Sequence, residues 1–278
     1  MTIKRNSIIL GDNPFFSISH SGFNKSREYL TDASHLEKSI NVVKTARELN
    51  IKNFMISSHP DAVDFLYKCG YDKSENDLPN LSLVLPDVHS QNTKSANNGI
   101  VSIAAPMLIS GIKQILQNPS SLRSGFLASA ATGVLMEWIS GFPKSKIEYI
   151  LLHNIYVDLL IGLGGYRLLR IFEDAIRNLG YKPGFITLNP TQFDKYSSKN
   201  FVLCTYYNLN GYNIYYDFSD LQKLKKQKNI DLWAMGILAS GAIEINKALN
   251  DTNLESFDKI LYATGKKERL IDFVSGLK

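Results

Sequence analysis

The chain reads as a single-domain α/β protein of the (β/α)8 TIM-barrel class, and two observations predict this. Eight short apolar runs recur along the 278 residues with helix-like segments between them, and polar side chains collect just after those runs. A closed eight-stranded barrel needs roughly 250 residues or slightly more, so one domain spanning 1–278 accounts for the length. The 44% hydrophobic content is enough to bury one large core.

The strand-like runs are 7–13, 53–59, 81–89, 148–154, 184–190, 201–208, 231–237 and 259–265. Helices fall between them. In 33–50, Leu36, Ile40, Val43, Ala46 and Leu49 recur at three- and four-residue steps, which predicts one apolar stripe facing the sheet. The segment 165–184 does the same through Leu168, Ile171, Phe172, Ala175 and Leu179, and Gly180 with Pro183 stops it. A shorter helix is expected over 217–230. The stretch 93–143 is too long for a simple crossover, so an extended helical insertion of at least two helices is expected between strands three and four. No repeat, linker or low-complexity segment marks a second domain.

Charge and cysteine usage exclude several function classes. Lys and Arg number 31 against 26 Asp and Glu, a balance of +5 spread along the chain, which is too weak to imply nucleic acid. The densest basic run, 223–231, suits the negative end of a solvated helix. Cys69 and Cys204 are too far apart to suggest a disulfide framework or a zinc cluster, and a reducing cytoplasm is expected. The longest apolar stretch, 99–112, is interrupted by Ser102, Pro106 and Ser110 and falls short of a bilayer's thickness. No membrane partner is expected; a small-molecule substrate is.

A barrel carries its chemistry at the C-terminal strand ends. Strand one ends in Asp12 and Asn13, with His20 beyond; strand two in Ser57, Ser58 and His59; strand three in Asp87, His89, Gln91 and Asn92. Strand four ends in His153 and Asn154, with Asp158 further on, strand five in Thr187 and Asn189, and strand six in Tyr206, Tyr207 and Asn208. Four of the five histidines lie at or just past a strand end, and only His35 starts a helix. Several imidazoles sharing a rim with carboxylates point to a functional mouth, with His153, His59, Asp87, Asp12, His89 and Asn154 as candidate catalytic residues. No strand end carries a lysine inside the barrel, which argues against Schiff-base chemistry.

The blocks "YILLHN", "RLLRIFEDAIRNLGYKPGFITLN", "VLCTYYNLN" and "DLWAMGILASGAI", closed by "ILYATGKKERLIDFV", resemble in order and spacing the second half of an aldo-keto reductase, over about residues 148–275. The opening "LGDNPFFSISH" is similar to a group of barrel proteins that begin with an LG-NPF motif and share that reductase-like second half. The resemblance implies NADP-dependent oxidoreduction, with His153 as the carbonyl-orienting histidine. It also implies cofactor contacts from Asn189, Tyr206 and the turn of Gly265, Lys266, Lys267 and Arg269. In that turn, backbone donors and cations favour a phosphate.

The first half departs from the family pattern. Ser57 and Ser58 stand where an Asp-bearing segment is expected, Tyr67 lies about two helical turns late, and Pro86 and Asp87 replace the lysine. The proton would then come from His59 or His153. Two alternatives stay open: a hydrolase, lyase or isomerase using a divalent metal held by His59, Asp87, His89 and His153, and a catalytically idle barrel that binds a metabolite. The glycine-rich 161–169 lacks the full dinucleotide spacing.

Overall fold

The structure, a computed structural model, describes residues 4–16, 34–59, 61–72, 75–87 and 126–277. Eight parallel strands close into a barrel in sequence order: β1 (Ile8–Gly11), β2 (Asn53–Ser57), β3 (Asn80–Leu85), β4 (Ile147–Leu152), β5 (Lys182–Thr187), β6 (Val202–Tyr206), β7 (Asp231–Met235) and β8 (Lys259–Tyr262). Closure comes from β8 pairing with β1, Leu261 opposite Ile9. β2, β5 and β6 end on Ser57, Thr187 and Tyr206 as expected, while Asp12, His59, Asp87, His153 and Asn189 sit just beyond their strands and Asn154 opens the next helix.

The helices are α1 (His35–Glu48), α2 (Ala62–Lys68), α3 (Phe126–Ile139), α4 (Asn154–Gly162), α5 (Tyr166–Asn178), α6 (Phe218–Lys228), α7 (Ile245–Leu249) and α8 (Lys267–Ser275). Between β3 and β4 the described residues carry one helix, α3, packed on α5, which is the single crossover a barrel needs; the rest of 93–143, where the insertion is expected, lies outside the described residues up to 125. Among the described residues no helix is long and apolar enough to cross a membrane.

Two predicted stripes turn by part of a helical step. In α1 the buried line is Ser39, Val42, Val43 and Ala46, with Leu36 exposed, and in α5 it is Leu169, Glu173, Ala175 and Ile176, with Leu168 exposed. At 100° per residue, neighbouring apolar positions compete for the sheet, and packing against the strands decides between them. Glu173 is buried on the inner face of α5 and accepts from Tyr196 Oη, Ser198 Oγ and Arg177 Nε. This fully paired carboxylate fastens α5 to the β5–β6 connection.

Side-chain alternation splits the core in two. Ile9, Met55, Val84, Leu151, Ile186, Val202 and Cys204 fill the barrel, while the larger shell of Leu10, Phe54, Leu83, Phe185 and Leu203 packs under the helices. Gly184 is required inside: a Cβ there would lie 2.8 Å from Leu151 Cγ and 3.0 Å from Val202 Cβ. Tyr149 and Trp233 meet edge to face at 4.8 Å near the N-terminal end. Lys259 Nζ lies 4.7 Å and 5.1 Å from the two ring centroids, and Lys182 Nζ 4.9 Å from that of Tyr149. Cys69 and Cys204 are both buried free thiols, each pushed up to about 12 by burial.

Candidate active site

The wall formed by β1, β2 and β3 is tied together by short polar side chains. Asp12 follows β1, and its Oδ2 accepts the Ser57 amide at 2.7 Å, while the Asp87 amide donates to Ser58 Oγ at 2.9 Å. Asp12 does not face the mouth. It sits among Leu10, Phe15, Phe54, Ile56 and Phe65 on the outer side of the strands. Burial there raises its pKa from 3.8 to about 7 against the Ser57 hydrogen bonds, with the Asp87 charge adding least. Asp87 is likewise buried. The Phe16 ring stacks on His59 at 4.6 Å, and His59 Nδ1 accepts the Asp61 amide at 3.2 Å.

His153 ends β4 for a backbone reason. Its amide donates to Leu85 O on β3 at 2.8 Å, and its extended conformation makes it the N-cap of α4, with Nδ1 accepting the Ile155 amide at 3.3 Å. An imidazole there satisfies one of the helix's open N–H groups. With Nδ1 occupied as acceptor, the neutral ring carries its proton on Nε2. Asn154 is the first residue of α4. Helix α4 itself escapes sequence reading, because 154–162 is apolar on nearly every side and has no clear period.

On the next strand Thr187 Oγ1 donates to Asp158 Oδ1, and the Leu188 amide reaches Asp158 Oδ2 at 3.1 Å. The Asn189 amide returns to Thr187 Oγ1 at 2.9 Å. Asp158 thereby fixes the β5 loop to α4 and carries Asn189 to the rim.

Tyr206 and Tyr207 separate at the end of β6. Tyr207 turns outward to pack between Phe218 and Phe257, its hydroxyl on Asp251. Tyr206 turns inward over the end of β7. Gly236, at φ 69°, has no Cβ, and one built there would lie 2.4 Å from Tyr206 Cδ1, so the ring occupies that space.

Beyond Gly236 the backbone takes three consecutive left-handed residues, Ala239, Ser240 and Gly241 at φ 45°, 59° and 96°. This loop and α8 enclose a cleft of about 530 Å³ lined by Glu244, Asn246, Arg269 and Asp272 among others. Of the expected phosphate turn only Arg269 reaches the cleft. Gly265, Lys266 and Lys267 lie outside its lining, and the Lys266 amide caps onto Thr264 Oγ1 at 3.2 Å. Glu244, Asn246 and Asp272 were not anticipated from sequence; the one signal was the glycine-bearing "ASGAIEIN" after a strand.

His20 and His89 lie outside the described residues. Among the described residues no group of three His, Cys, Asp or Glu side chains is placed to hold a metal ion, so His59, Asp87 and His153 do not form a metal centre together. Tyr67 is in the last turn of α2, which leads away from the mouth.

Two solved structures from Pseudomonas aeruginosa, both provisionally assigned aldo-keto reductases, are similar to this chain. One superposes with a TM-score of 0.55 at 13% identity, the other with 0.56 at 14%, each over 97% of this chain and 88% of its own. At that identity the likeness is one of fold. Neither protein-family models nor curated proteins give a match.

Proposed function

We propose that the chain is a nicotinamide-dinucleotide-dependent oxidoreductase acting on a small carbonyl or hydroxyl compound at the barrel mouth. The observation that carries this reading is the cleft beside the ends of β7 and β8, placed on the same barrel whose β4 end presents His153. The cleft's volume and its arginine fit the phosphate-bearing part of a dinucleotide. Tyr206, held flat over Gly236, offers a face for a planar ring. The resemblance implies NADP, and two widely separated cysteines fit a reducing cytoplasm.

A bound nicotinamide supplies or accepts the hydride. This chain's residues do the rest. His153 donates a hydrogen bond from Nε2–H to the substrate oxygen and stabilises the negative charge that develops there, and solvent protonates the resulting alkoxide as product leaves. Asn154 orients the substrate, and Asn189, on the neighbouring strand's loop, holds the nicotinamide end of the dinucleotide. Phe16 and His59 close the β2 side and limit access of water. Asp12 and Asp87 act behind the rim by fixing the loops that follow β1, β2 and β3.

Titration with NADH and NADPH, followed by nicotinamide fluorescence, tests the reading together with turnover on a panel of aldehydes and ketones. Wild type and His153→Gln should both bind dinucleotide, while the variant loses roughly 100-fold or more in turnover. Binding of neither dinucleotide, or unchanged turnover in His153→Gln, overturns it.

A further inference from the structure

We infer that the cleft selects the dinucleotide without a 2′-phosphate, NADH over NADPH, and that Glu244 and Asp272 set the choice. This deepens the dinucleotide reading and rests on it. The cleft lining carries two carboxylates, Glu244 and Asp272, against one guanidinium, Arg269. Neither carboxylate is held in an ion pair among the described residues.

A ribose diol brings two hydroxyl donors, which carboxylate acceptors satisfy; a 2′-phosphate brings a dianion and acceptors only, which they repel. The cations that could reverse this stand elsewhere: Lys247, Lys266 and Lys267 are exposed and outside the lining. Arg269 alone serves the pyrophosphate that both dinucleotides share. Its guanidinium approaches the backbone run, with Nη1 3.8 Å from the Cβ position of Gly241. The implied NADP preference is thus reversed by charges that come from two elements, Glu244 at the start of α7 and Asp272 on α8.

The test measures dissociation constants of NADH and NADPH for wild type and for a Glu244→Gln, Asp272→Asn double variant, by nicotinamide fluorescence at low and high salt. Both positions are exposed, so the variant should keep the wild-type melting temperature. Wild type should bind NADH about tenfold or more tightly than NADPH, and the variant should narrow that ratio to about threefold or less by tightening NADPH. High salt should narrow the wild-type ratio as well, since exposed charges are screened. Equal or tighter NADPH binding by wild type, or an unchanged ratio in the variant, overturns the inference while leaving the dinucleotide reading intact. Binding of neither cofactor overturns both.

Discussion

The two ends of the barrel are finished in opposite ways. At the N-terminal end two aromatic rings, Tyr149 and Trp233, meet edge to face and lysines cap them. At the C-terminal end the interior residues shrink or become polar. Gly11 lies against Ala263, Ser57 and His153 end their strands, and Tyr206 lies over Gly236. A large ring fills its end with apolar volume and stabilises the fold. Small and polar groups leave room for a ligand and contribute less to packing. Stability should concentrate at one end and chemistry at the other.

Trp233→Ala tests the closed end most severely. It should cost about 3–5 kcal/mol, read as a lowered urea midpoint, because the surrounding strands cannot collapse into the space of an indole. A cost below about 1 kcal/mol would show that the aromatic plug is not what closes the barrel.

Behind the mouth the next effect depends on pH. The folded pKa of Asp12, about 7, exceeds its ordinary value of 3.8, so the native state binds this proton more tightly than the unfolded chain. Its contribution is therefore fully present below about pH 4 and is lost as pH rises through 7. Asp12→Asn keeps an acceptor for the Ser57 amide and removes the charge. Urea unfolding should find the variant about 2–4 kcal/mol more stable than wild type at pH 8 and nearly equal to it at pH 4. A pH-independent difference would break this account.

Asp158→Ala removes the acceptor of Thr187 Oγ1 and the Leu188 amide, and should cost about 1–3 kcal/mol in unfolding while weakening dinucleotide binding through the displaced Asn189. Lost stability with unchanged binding would remove Asn189 from the site. The smallest expected effect sharpens the other side of the comparison. Trp233 Nε1 is buried with no hydrogen-bond partner among the described residues. Trp233→Phe should therefore change stability by less than about 1 kcal/mol despite the lost volume, because an unsatisfied donor leaves with it.

Much of this architecture is legible along the chain. Strands of a parallel barrel are covered on both sides, so they appear as apolar runs; five fall inside the expected segments, and β3, β4 and β5 begin one or two residues before theirs. His153 is readable for the same reason, since an imidazole after four apolar or aromatic positions marks the end of a buried strand. Tyr206 and Tyr207 show where reading stops: adjacent in sequence, they go to opposite faces, and which one reaches the mouth follows from strand parity. Asp12 shows it again, as one residue of alternation sends its carboxylate behind the wall.

Local pattern dictates the class of fold, the number and order of strands and the residues near the rim, because burial on both faces and the turn residues that stop a strand act over a few positions. Tertiary structure decides which near-rim side chains meet. The cleft takes Glu244 and Asn246 from one connection and Arg269 and Asp272 from another helix, and the closed end pairs Tyr149 with a tryptophan 84 positions away. No short-range pattern encodes those meetings. They follow from closing eight staggered strands into one ring, where register and twist set every distance across the barrel.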